Sequence, residues 1–311
     1  MEIIRLTGDT LLTEPCVATI GFFDGVHRGH RFLIKQVTDK AFLQGRRSAV
    51  ITFDRHPRQV VKTDYKPLLL STFREKMTLL STTGVDYCIV LPFDERMASL
   101  SAHDFMKLIL ADRLGVKTLI TGYDNRFGHN RSEGFDDYVA FGRKMGMEVL
   151  QAQPFVMDGI HVSSSVVRAL LTAGEIEMAN RCLDYEYSMS GKVVDGQHIG
   201  HTIGFPTANL QPEDNHKLIP AHGVYAVRAH VGYTGEAHPA MMNIGHRPTF
   251  DGQNDTIEVH LLHFSDNIYG EQLSVSFVSK LRDERKFNNG VELSRQLRLD
   301  AEEAEKRLTM E

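Results

Sequence analysis

The chain has 311 residues, enough for about two domains of ordinary size. Hydrophobic residues make up 42%, charged residues 24%, and the net charge is −5, so bulk attraction to nucleic acid or to an anionic membrane is not indicated. The three cysteines are scattered and odd in number, no apolar run reaches the ~20 residues of a bilayer span, and the N-terminus carries no signal-peptide pattern. These features exclude a disulfide framework and point to a cytoplasmic protein with reduced thiols.

Cys16 to Ile20 reads as a short apolar strand. After it, Leu33, Ile34, Val37 and Ala41 recur at helical spacing. Between them stands Gly21-Phe22-Phe23-Asp24-Gly25-Val26-His27-Arg28-Gly29-His30. A strand, a glycine-rich turn and a helix N-terminus form an anion site, because unpaired backbone N–H groups and the helix dipole point at the ligand. The i, i+3 spacing predicts His27 and His30 on one helical face. Two imidazoles there can stabilise charge that grows on a phosphorus under attack, which reads as nucleotidyl transfer. A zinc site fits less well: no third His or Cys lies at the usual short spacing, and the glycines would have no purpose.

Ser48 to Phe53 is the next strand, followed by Asp54-Arg55-His56-Pro57. Phe73 to Gly84 is amphipathic, and Tyr87 to Leu91 reads as a strand. Ser101 opens a helix with Asp104 as its capping partner, and Gly115 closes it. Lys117 to Thr121 is a strand that runs into Gly122-Tyr123-Asp124-Asn125-Arg126-Phe127-Gly128. A helix over Phe135 to Met145 and a strand over Glu148 to Gln153 follow. This alternation predicts a parallel, doubly wound sheet with ligands at the carboxyl ends of its strands. Ser163-Ser164-Ser165-Val166-Val167-Arg168 opens another helix. Its hydroxyls and amides can hold phosphate oxygens, with Arg168 adding a charged fork; alone, the serines would read as a helix cap.

Glu175 to Tyr187 reads as a helical connector. Beyond it the period changes to two: Ile257, Val259 and Leu261 alternate with Glu258 and His260, and Leu273, Val275 and Phe277 with serines. Leu293, Leu297, Ala301, Ala304 and Leu308 then form one helical stripe. A small antiparallel barrel or sandwich with a C-terminal helix is expected. Gly191, Gly196, Gly200 and Gly204 precede Phe205-Pro206-Thr207-Ala208-Asn209-Leu210, and a flexible glycine loop can close over a triphosphate. No GxxxxGK[ST] occurs, so this is not a P-loop. Thr207 and Asn209 offer neutral oxygens that suit Mg²⁺ held mostly by phosphate and water. Glu258 could take a proton from an alcohol nucleophile, or could be a solvated barrel residue.

Taken together and in order, GFFDGVHRGH, TFDRHP, GYDNRFG, VSSSVVR, GFPTANL, GVY at Gly223–Tyr225, IEVH and FSDNIYG resemble the bacterial bifunctional riboflavin kinase/FMN adenylyltransferase (FAD synthetase) family. The resemblance covers almost the whole chain. It implies a Rossmann-like nucleotidyltransferase domain at residues 1–185 and a riboflavin kinase-like six-stranded Greek-key barrel at 186–311. It implies that riboflavin is phosphorylated by ATP to FMN, and that AMP is then transferred from ATP to FMN to give FAD and pyrophosphate. Riboflavin, FMN, FAD and ATP would be the partners, with Mg²⁺ as cofactor, and with neither nucleic acid nor membrane; a weak homo-oligomer is compatible with the sequence.

Carried onto this chain, the resemblance makes His27 and His30 the catalytic pair of the first domain. Gly21, Phe22, Phe23, Asp24, Asp124, Arg126, Ser164, Ser165 and Arg168 would bind its ATP, and Phe53, His56 and Pro57 would face FMN. In the second domain Glu258 would be the base, Gly200, Gly204, Thr207 and Asn209 would bind Mg-ATP, and Arg282 and Phe287 would close on the flavin. Arg55 stands where the family commonly has proline, Ser165 where threonine is frequent and Asp124 where some members have asparagine. Other HxGH-type transferases adenylylate or cytidylylate different phosphorylated acceptors, but the PTAN and IEVH strings would then be unexplained. A flavin-binding regulatory or storage protein would have no use for the intact histidine pair and Glu258.

Overall fold

The apolar runs of the first half become six parallel strands. The computed structural model describes residues 1–311 except 9, 13, 62–67, 124, 197–199, 201–203, 233–235, 250–251 and 310–311. In chain order these strands and their connections are Glu2–Arg5 (β1), Cys16–Ile20 (β2), Arg28–Leu43 (α1), Arg47–Phe53 (β3), Pro57–Val61 (α2), Phe73–Ser81 (α3), Tyr87–Leu91 (β4), Glu95–Ser99 (α4), Ala102–Asp104 (α5), Val116–Thr121 (β5), Phe135–Met145 (α6) and Glu148–Gln151 (β6). A short hairpin, Val156–Met157 (β7) with Ile160–His161 (β8), follows. The sheet order is β1-β4-β3-β2-β5-β6.

Successive residues of a strand point to opposite faces, and both faces of this sheet are covered. Cys16, Ala18 and Ile20 of β2 join one apolar cluster with Ala49, Ile51, Phe105 and Leu110. Val17 joins the other with Val50, Ile34 and Val37. The chain winds one way from β2 through β3 to β4 and the other way through β5 to β6. The crevice at the carboxyl ends of β2 and β5 is therefore the topological switch point, where open α/β sheets bind ligands.

Ser101 caps α5 by accepting from the Asp104 amide at 3.0 Å. The helix then widens into π-type turns over Phe105–Ala111, which place Phe105, Met106, Ile109 and Leu110 in the core. Glu2–Arg5 has no apolar alternation and lies mostly exposed at the sheet edge. It becomes a strand only by pairing with β4. The strand at Glu148 stops at Gln151, two residues before the expected end, where pairing with β5 runs out at Thr121.

The molecule divides into two compact units, Met1–Ser164 and Ser165–Glu311. The division falls at the start of Ser164–Ala173 (α7). The connector is helical over Ile176–Leu183 (α8) and belongs to the second unit. There, the Asn180 amide donates to the Phe277 carbonyl at 2.7 Å and its oxygen accepts from the Tyr187 amide at 2.8 Å.

Ser188–Val194 (β9), Ala208–Pro212 (β10), Gly223–Val231 (β11), Ala237–Thr249 (β12), Gly252–Leu261 (β13) and Gln272–Arg282 (β14) follow. They form a closed antiparallel barrel in the order β10-β13-β12-β11-β14-β9, so the sandwich alternative falls away. Closure removes the sheet edges. Tyr225, Val227, Met242, Val259 and Phe277 are fully buried. On the alternate positions Ala226, Met241 and Val278 pack with Ala304 and Leu308 of the C-terminal helix Gly290–Thr309 (α9).

Candidate active sites

In the first unit, the GFFDGV turn is held in a conformation that a generic turn would not adopt. Phe23 (φ 55°), Gly25 (φ 77°) and Val26 (φ 37°) all lie in the left-handed region. A β-branched residue there is strained. Val26 has no exposed surface and packs into the apolar cluster beneath α1, which holds it in place. The turn redirects the chain so that α1 begins at Arg28 with His27 as its N-cap.

This changes the sequence expectation for the histidine pair. His27 is not on a helical face with His30; it precedes the helix. Its Nδ1 accepts from the His30 amide at 3.4 Å. The two rings nevertheless come together, stacked 3.7 Å apart at 22°. An Nδ1 that accepts places the proton of a neutral His27 on Nε2, where it can be donated to a ligand. Phe23 meets the His30 ring edge-on at 5.1 Å. At Gly29 a Cβ would stand 2.8 Å from the Val162 carbonyl and 3.1 Å from the His27 ring, so only glycine lets the rings stack there.

Asp24 is only 3% exposed. Its carboxylate accepts from the Leu70 and Ser71 amides, each at 3.0 Å, and from the Ser71 hydroxyl at 3.3 Å. The Gly25 amide donates to the Ser71 hydroxyl at 2.9 Å. Among these contacts the carboxylate serves the loop before α3. Asp24→Asn turns an acceptor into a donor facing amide protons and is expected to lower stability by about 1–3 kcal/mol. Thermal denaturation checks this, and an unchanged midpoint would count against the anchoring role.

The other expected residues arrive from neighbouring strand ends. The Ser164 hydroxyl donates to the Asp24 carbonyl at 3.1 Å, joining the start of α7 to the turn. Ser165 and Arg168 continue α7. Phe22 meets His56 edge-on at 4.7 Å. His56 Nδ1 accepts from the Arg58 amide at 3.1 Å, and Pro57 opens α2. The Phe53 ring is only 9% exposed and packs against Phe93 at 5.1 Å, so its contribution is through packing and its backbone carbonyl.

After β5, the Asn125 amide donates to the Ile20 carbonyl at 2.6 Å. Tyr138, stacked on Phe127 at 4.2 Å, places its hydroxyl 3.1 Å from the Phe127 amide and 3.1 Å from the Glu133 carbonyl. Arg126 is exposed, and its carbonyl accepts from Arg131 at 3.0 Å. Asp124 lies outside the described residues.

In the second unit, an open cavity of about 310 Å³ lies between the barrel strands, the Phe205–Thr207 loop and α9. Thr207, Asn243, Glu258, His260, Arg282 and Phe287 line it, with Gly200 at its edge. Glu258 pairs with Asn209 across β10 and with Asn243 across β12, so the carboxylate is flanked by an amide on either side. The Thr207 loop is fastened from the strand below: His260 Nδ1 lies 2.6 Å from the Pro206 carbonyl, and the ring meets Phe205 edge-on at 5.2 Å. Burial lowers the His260 pKa, so the neutral ring is favoured, with the Pro206 carbonyl opposing that shift. Gly196 and Gly200 press directly on this loop. A Cβ on Gly196 would stand 2.1 Å from the Asn209 amide nitrogen, and one on Gly200 would stand 2.1 Å from the Phe205 carbonyl. Gly204, at φ 81°, turns the chain into the loop.

Arg282 is committed to Asp300 of α9: Nε donates at 3.0 and 3.1 Å and the second amino group at 2.8 Å. Asp300 is 4% exposed and also accepts from Gln296 at 2.7 Å. The Phe287 ring lies 4.8 Å from the Arg285 guanidinium and 5.7 Å from that of Arg282. Sequence reasoning missed Asp300, although a carboxylate directly beside Ala301 on an apolar helical stripe was a visible signal. It missed Lys76 and Ser71 for the same kind of reason: their partners are remote in sequence.

Among the described residues no cluster of three or more His, Cys, Asp or Glu side chains could hold a metal ion. The Thr207–Asn209 pair instead fits a hard cation whose remaining ligands are phosphate and water, and at Gly200 the Phe205 carbonyl leaves no room for a side chain. No described helix is long and apolar enough to cross a membrane.

The family model for FAD synthetase matches residues 10–166, and that for riboflavin kinase matches 183–308. The chain is 37% identical to the bifunctional riboflavin kinase/FMN adenylyltransferase of Escherichia coli K12 over 287 residues, covering 92% of this chain and 91% of that protein. It is 35% identical to the enzyme of the same name from Haemophilus influenzae over 305 residues, covering 98% of each. A crystal structure described as a macrolide-efflux protein from Streptococcus pneumoniae superposes with a TM-score of 0.87 at 29% identity, covering 97% of this chain and 98% of that one. With both family models matched in order and full-length relatives well above 30% identity, the chain belongs to the bifunctional riboflavin kinase/FMN adenylyltransferase family.

Proposed function

We propose that the chain carries both steps of flavin-cofactor synthesis, with the adenylyltransferase in residues 1–185 and the kinase in 186–311. The chain phosphorylates riboflavin with ATP to FMN and transfers AMP from ATP to FMN, giving FAD and pyrophosphate. What supports this reading is that one chain holds both the stacked His27–His30 pair at the sheet switch point and Glu258 between Asn209 and Asn243 in the barrel register.

In the adenylyl step, a phosphate oxygen of FMN attacks the α-phosphorus of ATP and the bond to pyrophosphate breaks. Negative charge grows on the non-bridging oxygens. His27 and His30 donate hydrogen bonds to that charge, aided by the positive end of the α1 dipole. Gly21, Phe22 and Phe23 shape the floor beneath the nucleotide, Ser164 and Arg126 contribute from adjoining loops, and the family pattern adds Asp124, Ser165 and Arg168. His56 and Pro57, beside Phe22, face the flavin.

In the kinase step, Glu258 takes the proton of the riboflavin 5′-hydroxyl as its oxygen attacks the γ-phosphorus, and ADP leaves. Thr207 and Asn209 would hold Mg²⁺, which when bound offsets the charge of the phosphate oxygens. Gly200 and Gly204 let the backbone approach the nucleotide, and Phe287 with Arg282 bounds the flavin end of the cavity. Cys16, Cys88 and Cys182 are buried and not joined in disulfides, which accords with a reducing cytoplasm, and neither step calls for nucleic acid, membrane or assembly into an oligomer.

Chromatography of the flavins after incubation with ATP and Mg²⁺ tests the reading. FAD is expected both from riboflavin and from supplied FMN. Folded protein that turns over neither would overturn it.

A further inference from the structure

Lys76 is a cation where the packing calls for an apolar residue. It lies on the buried face of α3 with Met77 and Leu80 and is 2% exposed. Its Nζ donates to the Phe22 carbonyl at 3.1 Å, the Thr52 hydroxyl at 3.2 Å and the Phe53 carbonyl at 3.2 Å. An ammonium has three protons, and all three are used. Thr52 in turn donates to the Phe22 carbonyl at 3.1 Å. The ammonium also sits 4.1 Å from the centre of the Phe22 ring, a cation–π contact.

Every one of these partners is at the carboxyl end of β2 or β3, the side of the sheet that takes ligands. Phe22 meets His56, and the turn that Phe22 begins ends at His27. A methionine would fill the space without desolvating a charge, so a retained ammonium needs a reason beyond packing. We propose that Lys76 is a positioning residue for adenylyl transfer: by tying the ends of β2 and β3 together, it sets Phe22 and His56 relative to the His27–His30 pair, and so aligns the acceptor phosphate with the α-phosphorus of ATP. This rests on the adenylyl-transfer reading above.

The arrangement has a pH consequence. Burial pushes Lys76 down to about 8, against the opposing effects of Asp24 in the turn, Cys88 on β4 and Asp54 after β3. Below that pH the amine is charged and the tie is complete. Above it the charge is lost, and the hold on the Phe22 ring and carbonyl weakens. FAD formation should therefore decline as pH rises through the alkaline range.

The test compares wild type, Lys76→Met and Lys76→Gln, each assayed for FAD formation from supplied FMN between pH 6.5 and 9.5. Thermal denaturation and circular dichroism of the same samples serve as the folding control for the first unit, and riboflavin phosphorylation checks the second. Lys76→Met is expected to lower kcat/KM for FMN by about 10- to 100-fold at neutral pH, the cost of a misplaced reacting group. Its alkaline limb should disappear while FMN formation stays intact. Lys76→Gln keeps two donors and cannot titrate; it should retain more activity with a flat profile. Should Lys76→Met be poorly folded, a wild-type-like alkaline limb in Lys76→Gln would overturn the assignment, and a flat one would support it. Folded Lys76→Met with wild-type rates would overturn it alone, whereas a wild-type protein that makes no FAD would overturn both readings.

Discussion

Replacing His30 by alanine is expected to abolish measurable FAD synthesis while leaving FMN synthesis unchanged. The His30 ring is stacked on His27 at 3.7 Å and bordered by Phe23. Its loss removes one donor to the transition-state charge, typically worth about 10²- to 10³-fold in rate. It also removes the surface on which the His27 ring rests, so the effect should exceed that of deleting an isolated donor. The His30 amide remains, and with it the bond to His27 Nδ1, so the helix N-terminus should stay formed. The decisive comparison is FMN yield from riboflavin beside FAD yield from supplied FMN in one preparation. A folded variant that loses both activities would mean that the two sites are not independent.

Glu258→Gln is expected to give the reverse. The substitution keeps the shape of the side chain but turns one acceptor oxygen into an amide donor and removes its ability to accept a proton. Riboflavin phosphorylation should fall by about 10²- to 10⁴-fold, the usual contribution of a general base. FAD should still form from supplied FMN. Because Glu258 lies between Asn209 and Asn243 in the strand register, an amide at this position can be accommodated without disturbing the barrel. The expected signature is a loss of kcat with little change in ATP affinity, measured separately by calorimetry. A rate within about tenfold of wild type would assign Glu258 a binding role instead.

The positions where local reading fell short share one physical cause. His27 and His30 were legible as a pair from their spacing, but not their relation. The left-handed backbone at Phe23, Gly25 and Val26 makes His27 a cap instead of a helical residue. That geometry depends on Val26 being buried by α1 and on Gly29 lying against the Val162 carbonyl, contacts that no local pattern encodes. That the Asp24 carboxylate also accepts from the amides of Leu70 and Ser71 was not legible in its motif, because those partners are remote in sequence. The edge strand at Glu2–Arg5 has no periodicity because pairing, not burial, makes it a strand.

What the sequence by itself determined is the order of the elements, the change from period 3.6 to period two after Tyr187, and the residue types at each reacting centre. Those features are local: a strand's alternation, a helix's stripe and a glycine beside a phosphate-binding turn are each written within a few residues. Only the tertiary structure decided between the barrel and the sandwich that periodicity alone left open, placed a cavity beside Glu258, and showed that Lys76 and Asp300 are charges held inside apolar faces. Closure depends on pairing β14 with β9, and a buried charge depends on partners brought from elsewhere in the chain, such as Phe22 for Lys76 and Arg282 for Asp300. Such partners become neighbours only when long-range packing brings them together, so the charge pattern of a single helix shows the anomaly without showing what resolves it.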